Sequence, residues 1–170
     1  MGELTDKVIE AGQVGLDTSL FIYYFEKNPK YVNLCREVFE VFEIGKAGAI
    51  TSMVTLLEVL VRPLAEKRQD LVSEYIDRLT TLPNLLLCQI DKEIAVKAAA
   101  IRAEHKIKTP DAIQIAAAIV NGAQLFLAND TIFRRVKEIE VVILDDFVEK
   151  KSDDSANDAT SGSNQPSSAS

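Results

Sequence analysis

Four carboxylates, Asp17, Glu58, Asp111 and Asp130, stand where they could share a divalent cation. Asp17 directly follows the aliphatic run Val14-Gly15-Leu16, and Asp130 follows Leu125-Phe126-Leu127-Ala128 with only Asn129 between. Asp111 comes just after Thr109-Pro110, at the start of an Ile- and Ala-rich helical pattern. Glu58 interrupts Leu56-Leu57-Glu58-Val59-Leu60-Val61, where every neighbour is aliphatic. Taken singly, the three aspartates could be helix caps or complements to a helix dipole. Glu58 has no such explanation, because an isolated carboxylate in an apolar run is costly to bury without compensation. Several carboxylates held close together repel one another unless a cation lies between them. An all-oxygen donor set without His or Cys favours Mg²⁺ or Mn²⁺ over Zn²⁺. Such an ion activates water and neutralises charge on a phosphate, which is the chemistry of phosphodiester hydrolysis.

The acids converge only if the elements around them form a particular fold. Short aliphatic or β-branched runs at Val14–Leu16, Gly48–Thr51, Leu85–Cys88, Leu125–Ala128 and Val141–Leu144 predict strands buried on both faces. Apolar residues three or four apart predict helices over Leu20–Glu26, Tyr31–Lys46, Met53–Arg62, Asp70–Leu79, Lys92–Glu104 and Pro110–Asn121. Pro63 is expected to close the third of these. Thr109 with Pro110 reads as a cap and first-turn pair, and Gly122 as a stop. Strands alternating with helices predict an α/β fold, a three-layer α/β/α sandwich around a central parallel sheet. Ligands of such sheets bind at the carboxyl ends of the strands, where Asp17 and Asp130 emerge. The Asp111 helix runs back along the sheet before the Leu125 strand, so it begins near the same edge.

The chain has 170 residues, 47% of them hydrophobic, which suits one domain with one core. A nuclease-like domain is expected over 1–148. Residues 149–170 are acidic and Ser-rich, and 152–170 have no side chain able to build a core, so this tail is expected to be disordered. The net charge is −7. The tail has four acids against two lysines, so most of that charge lies on the body. A broad basic nucleic-acid surface is therefore excluded, and a polyanionic substrate would need a cation as intermediary. Nothing resembles a membrane span or a signal peptide, so a cytoplasmic protein is expected. Cys35 and Cys88 read as buried free thiols. His105, the single histidine, reads as solvent-facing at a helix end and excludes paired imidazole catalysis. Arg62, Lys67, Arg102, Lys106, Lys108, Arg134, Arg135 and Lys137 read chiefly as solvated charges, and Phe21, Tyr23, Tyr24 and Phe25 chiefly as core.

Four segments together resemble the PIN-domain family, and most closely its small VapC-like toxin nucleases. They are Gly15-Leu16-Asp17-Thr18-Ser19-Leu20-Phe21, the stretch from Ile50 to Leu60, the stretch from Lys108 to Ala118, and Phe126-Leu127-Ala128-Asn129-Asp130. The resemblance spans residues 12–147. It implies that Asp17, Glu58, Asp111 and Asp130 surround one or two divalent ions, Mg²⁺ or Mn²⁺. Ser19 or Ser52 would supply a hydroxyl and Asn129 an amide as supporting groups. It further implies endonucleolytic cleavage of single-stranded or loop RNA by a homodimer that a cognate antitoxin silences. The family often has Asn where Ser19 stands, and seldom has an acidic Ser-rich tail.

Other readings fit less well. An aspartyl phosphatase would want a second Asp at position 19, and a receiver domain an early acidic pair with a late Lys. The larger flap nucleases need elements for which this chain has no room. A PIN-like scaffold that binds RNA or protein without cutting is the non-enzymatic alternative.

Overall fold

The computed structural model describes residues 2–148. The expected disordered tail over 149–170 lies outside the described residues. The elements run α1 (Glu3–Ala11), β1 (Gln13–Leu16), α2 (Thr18–Phe25), α3 (Val32–Glu43), β2 (Gly48–Ser52), α4 (Met53–Ala65), α5 (Gln69–Thr81), β3 (Leu85–Cys88), α6 (Lys92–His105), α7 (Thr109–Val120), β4 (Leu125–Ala128), a 3₁₀ turn (Thr131–Arg135) and β5 (Glu140–Ile143). All five strands are parallel, in the order β3-β2-β1-β4-β5. The α/β/α sandwich expected from the sequence is the fold observed.

Period-two alternation divides the strands between two cores. Val14 and Leu16 of β1, Leu125 and Leu127 of β4, and Val142 of β5 face a core built with Phe21, Phe39 and Phe42. Phe126 and Ala128 of β4 and Ile50 of β2 face the other core, with Ile101 of α6 and Ile115 of α7. Gly15 lets α7 lie close to β1. A Cβ there would stand 2.3 Å from the Ala118 methyl and 2.6 Å from the Phe126 ring, well inside van der Waals contact.

Three local expectations change. The sequence reading has no helix at the N-terminus, yet α1 forms over Glu3–Ala11 and buries Leu4 and Val8. Its apolar positions are few and separated by charge, so only the face packed on α3 reveals the period. Pro63 does not end α4, which continues to Ala65. The ring lies in the last turn, where a missing N–H costs one bond, and its carbonyl still accepts from Arg68 N–H. Thr109 is not the cap of α7. Lys108 is, with Thr109 and Pro110 in the first turn. Gly122 follows the helix with φ +81°, the stop that was expected.

Candidate active site

Sheet topology creates the place for the site. From β1 the chain steps outward to β2 and β3, then crosses back to β4 and β5 on the other side of β1. The crevice of such a sheet opens at the carboxyl ends of the two strands flanking that reversal, here β1 and β4. Asp17 directly follows β1, and its N–H donates to the Leu127 carbonyl of β4 at 2.9 Å. Asp17 caps α2, Oδ2 accepting from Ser19 N–H at 3.2 Å and from Ser19 Oγ at 2.6 Å. Asp130 caps the 3₁₀ turn after β4, accepting from Ile132 N–H at 2.9 Å. Asp111 stands in the first turn of α7, and Glu58 lies about one and a half turns into α4.

These acids sense one another. Burial, followed by the charges of Asp17, Asp130 and Glu58, pushes the Asp111 carboxyl up to about 6, and only Lys108 opposes them. Burial raises the half-buried Asp17, with Asp130 adding to it against the Ser19 hydrogen bonds. Burial likewise raises Glu58, reinforced by Asp17 and relieved by a Thr18 hydrogen bond. The structure thus gathers the four sequence-predicted acids at one edge of the sheet.

No three of these four acids bring ligand atoms within 4.8 Å of one another. Among the described residues, the trio of possible ligand atoms that all lie within 4.8 Å of one another is Glu104, His105 and Glu138. That trio reads as an ion pair, His105 Nε2 standing 3.0 Å from Glu138 and 3.8 Å from the exposed Glu104. His105 itself is a correction, since its side chain is only 10% exposed rather than solvent-facing. The wider spacing of the four site acids still fits Mg²⁺ or Mn²⁺. Mg²⁺ usually keeps several waters and binds through one or two carboxylates together with substrate phosphate.

The supporting residues take distinct places. Ser19 donates to Asp17 and so orients it. Ser52 is fully buried, caps α4, and turns its hydroxyl to Gln114 Oε1 at 2.6 Å. Asn129 braces the turn before Asp130, its amide donating to Tyr23 Oη at 3.1 Å while its carbonyl accepts from Asp145 N–H at 3.0 Å. Gln114, Thr18, Thr51 and Thr55 escaped the sequence reading, although all are buried and hydrogen-bonded beneath the acids. A glutamine inside Ile113-Gln114-Ile115-Ala116 was the available signal, the same kind that marked Glu58.

A family model described as "PIN domain" matches residues 14–139, well over half of the chain. The chain belongs to the PIN-domain family. Solved structures agree in fold. VapBC2 from Rickettsia felis, bound to a DNA fragment from its promoter, matches with a TM-score of 0.60 and 15% identity over 77% of this chain and 98% of its own. A toxin–antitoxin complex from Klebsiella pneumoniae gives 0.58 and 21% over 78% and 97%. DNA-bound VapBC from Salmonella typhimurium gives 0.58 and 19% over 78% and 98%. At these identities the likeness concerns the fold. No curated protein sequence matches the chain significantly. Cys35 and Cys88 are buried free thiols, and burial pushes Cys35 up to about 12. Arg62 is engaged by Glu26 and Glu66, and Arg134 by Asp146. Phe21 and Phe25 are core, as expected, while Tyr23 stacks on the buried Tyr31. No described helix is long and apolar enough to cross a membrane.

Proposed function

We propose that this PIN domain is a divalent-metal-dependent endoribonuclease that hydrolyses phosphodiester bonds of single-stranded or loop RNA. Mg²⁺ or Mn²⁺ is its cofactor. The observation that carries the reading is the convergence of four carboxylates from separate elements, which together with burial pushes Asp111 up to about 6. Asp17, Glu58, Asp111 and Asp130 would hold the ion, with Ser19 orienting Asp17 and with Ser52 and Asn129 fixing the segments behind them. The ion supplies a water nucleophile of lowered pKa and neutralises charge on the phosphate. A carboxylate with an elevated pKa that faces this water is suited to accept its proton. Concentrating negative charge where a polyanion must bind makes sense when a dication mediates the contact.

The further parts of the proposal rest on fold relatives and on composition. The solved neighbours are VapBC and toxin–antitoxin complexes, which supports a toxin restrained by a cognate antitoxin. A homodimer acting in the cytoplasm completes the proposal. Residues 1–148 would form the nuclease domain, with 149–170 as an appended tail. Incubating the full chain with single-stranded RNA and Mn²⁺ tests the activity. Cleavage that stops with EDTA is expected, and that the Asp111→Asn variant lacks. Retention of RNA without cleavage under either metal would favour the binding scaffold instead.

A further inference from the structure

Directly beneath the acids lies a buried cluster of neutral polar groups centred on Gln114, whose residue is 2% exposed. Its Oε1 accepts from Ser52 N–H at 3.2 Å and from Ser52 Oγ at 2.6 Å. Its Nε2 donates to Thr18 Oγ1 at 2.8 Å and to Thr55 Oγ1 at 2.6 Å. The amide cannot be reversed, because a backbone N–H only donates and so requires the oxygen on the Ser52 side. Two of these partners, and Gln114 itself, stand within one helical turn of a site acid. Thr18 adjoins Asp17, Thr55 precedes Glu58 by one turn of α4, and Gln114 follows Asp111 by one turn of α7.

Counting protons gives the cluster a direction. Thr51 Oγ1 spends its proton on the Leu16 carbonyl at 2.9 Å, so its contact with Thr55 at 2.7 Å must use the Thr55 proton. Thr18 therefore holds the hydroxyl proton that remains. It can go to Thr55 Oγ1 at 3.1 Å or turn toward the Glu58 carboxylate, whose acidity the Thr18 hydroxyl favours. Both Gln114 N–H groups occupy lone pairs on Thr18 and Thr55, which keeps either hydroxyl from turning round.

We propose that Gln114 is the positioning residue of this site: one buried carboxamide fixes the spacing of Asp17, Glu58 and Asp111 and aims the Thr18 hydroxyl toward Glu58. The inference rests on reading the four acids as a cation site, and it adds what sets their geometry. Gln114 touches no substrate and acts through Thr18, Thr55 and Ser52. Misplacing reacting groups by about 1 Å can cost roughly a hundredfold in rate.

The test compares the full-length parent with Gln114→Met, which keeps the volume and removes all four hydrogen bonds. Mn²⁺ affinity by calorimetry is expected to weaken about tenfold or more, as for other groups that orient metal ligands. RNA cleavage should lose about a hundredfold in kcat with KM within about threefold. Ile101→Val, in the core that α6 shares with α7 but outside the network, controls for lost stability and should bind Mn²⁺ like the parent. Thr18→Val, which removes a single hydroxyl, should shift both readouts in the same direction by less. A crystal structure of metal-free Gln114→Met should show the Glu58 or Asp111 carboxylate displaced from Asp17 by about 1 Å. Parent-like Mn²⁺ affinity and kcat in both variants would overturn the inference, as would an unchanged acid geometry in that crystal. A parent that neither binds Mn²⁺ nor cuts RNA would overturn the proposed function, and the metal-free crystal would still decide the role of Gln114.

Discussion

Two polar regions lie one above the other at the carboxyl edge of this sheet, and they are built on opposite terms. The lower one, Thr18, Thr51, Ser52, Thr55 and Gln114, is neutral and buried, and among the described residues no buried side-chain polar atom lacks a partner. The upper one, Asp17, Glu58, Asp111 and Asp130, is charged, and burial and mutual repulsion push several of its carboxyls upward. A fully satisfied network rigidifies its surroundings, because losing one partner leaves another group unpaired in low dielectric. A set of like charges without internal compensation does the reverse, destabilising the free protein until something of opposite charge arrives. The fold thus spends its hydrogen bonds on holding three helix starts in register and leaves the charge for an external cation.

The largest expected effect falls on the upper region. Asp111→Asn should reduce RNA cleavage at least about a hundredfold, the scale on which a transition-state charge partner acts. Gel-resolved cleavage with Mn²⁺ measures it, and a parent-like rate would remove Asp111 from the site. Glu58→Gln should also lose most activity while its melting temperature stays level or rises, because repulsion among the acids is relieved. A clear drop in melting temperature would move Glu58 to the structural side of the comparison.

Thr51, the member of the lower region bonded to the β1 backbone, predicts the opposite pattern. Thr51→Val removes the bond to the Leu16 carbonyl and strands the Thr55 proton, which should cost about 1–3 kcal/mol. Urea unfolding reads that loss, and Mn²⁺ affinity should change by less than about threefold, since Thr51 adjoins no site acid. A variant that keeps its stability but loses the metal would show that the two regions are not divided in this way.

Acidity sharpens the contrast further. Asp111 must lose its proton to bind a cation, and its carboxyl titrates near 6 rather than at the ordinary 3.8. Mn²⁺ affinity should therefore fall by up to about tenfold per pH unit below 6 and level off above it. An affinity flat from pH 5 to 8 would contradict the assignment. The smallest effect belongs to the Glu104, His105 and Glu138 trio, the most compact set of possible ligands among the described residues. His105→Asn should change stability by about 1 kcal/mol, the scale of one hydrogen bond, and leave Mn²⁺ affinity unchanged, because the trio lies apart from the four acids.

Much of this organisation was legible in the sequence, for reasons that differ by region. Continuous aliphatic runs made all five strands visible, although the edge strand β3 leaves Leu86 exposed instead of burying both faces, and their alternation with helices implied the parallel sheet that brings Asp17 beside Asp130. Glu58 was visible because a charge among aliphatic residues has no cheap structural account. The network below was hidden, because Thr and Ser are ordinary at strand ends and helix starts and only three-dimensional packing shows that they share one glutamine. Helix α1 was hidden because four of its nine residues are charged. Pro63 misled because a helix interior rejects proline far more strongly than a last turn does. His105 misled because a helix-end position gives no hint of Glu138, 33 residues later.

The central claim is that the acids destabilise one another until a dication joins them, and melting temperature with and without Mn²⁺ tests it most directly. The folded Asp111 keeps its proton to higher pH than the unfolded chain does, so its contribution to stability declines between pH 4 and 6, and the full penalty persists above 6. Discounted for solvent screening, the penalty is about 1 kcal/mol, or roughly 2–4 °C. At pH 8 without metal, Asp111→Asn should therefore melt a few degrees above the parent. Added Mn²⁺ should raise the parent and leave the variant nearly unmoved. A parent indifferent to Mn²⁺, together with a variant that melts lower, would contradict the account.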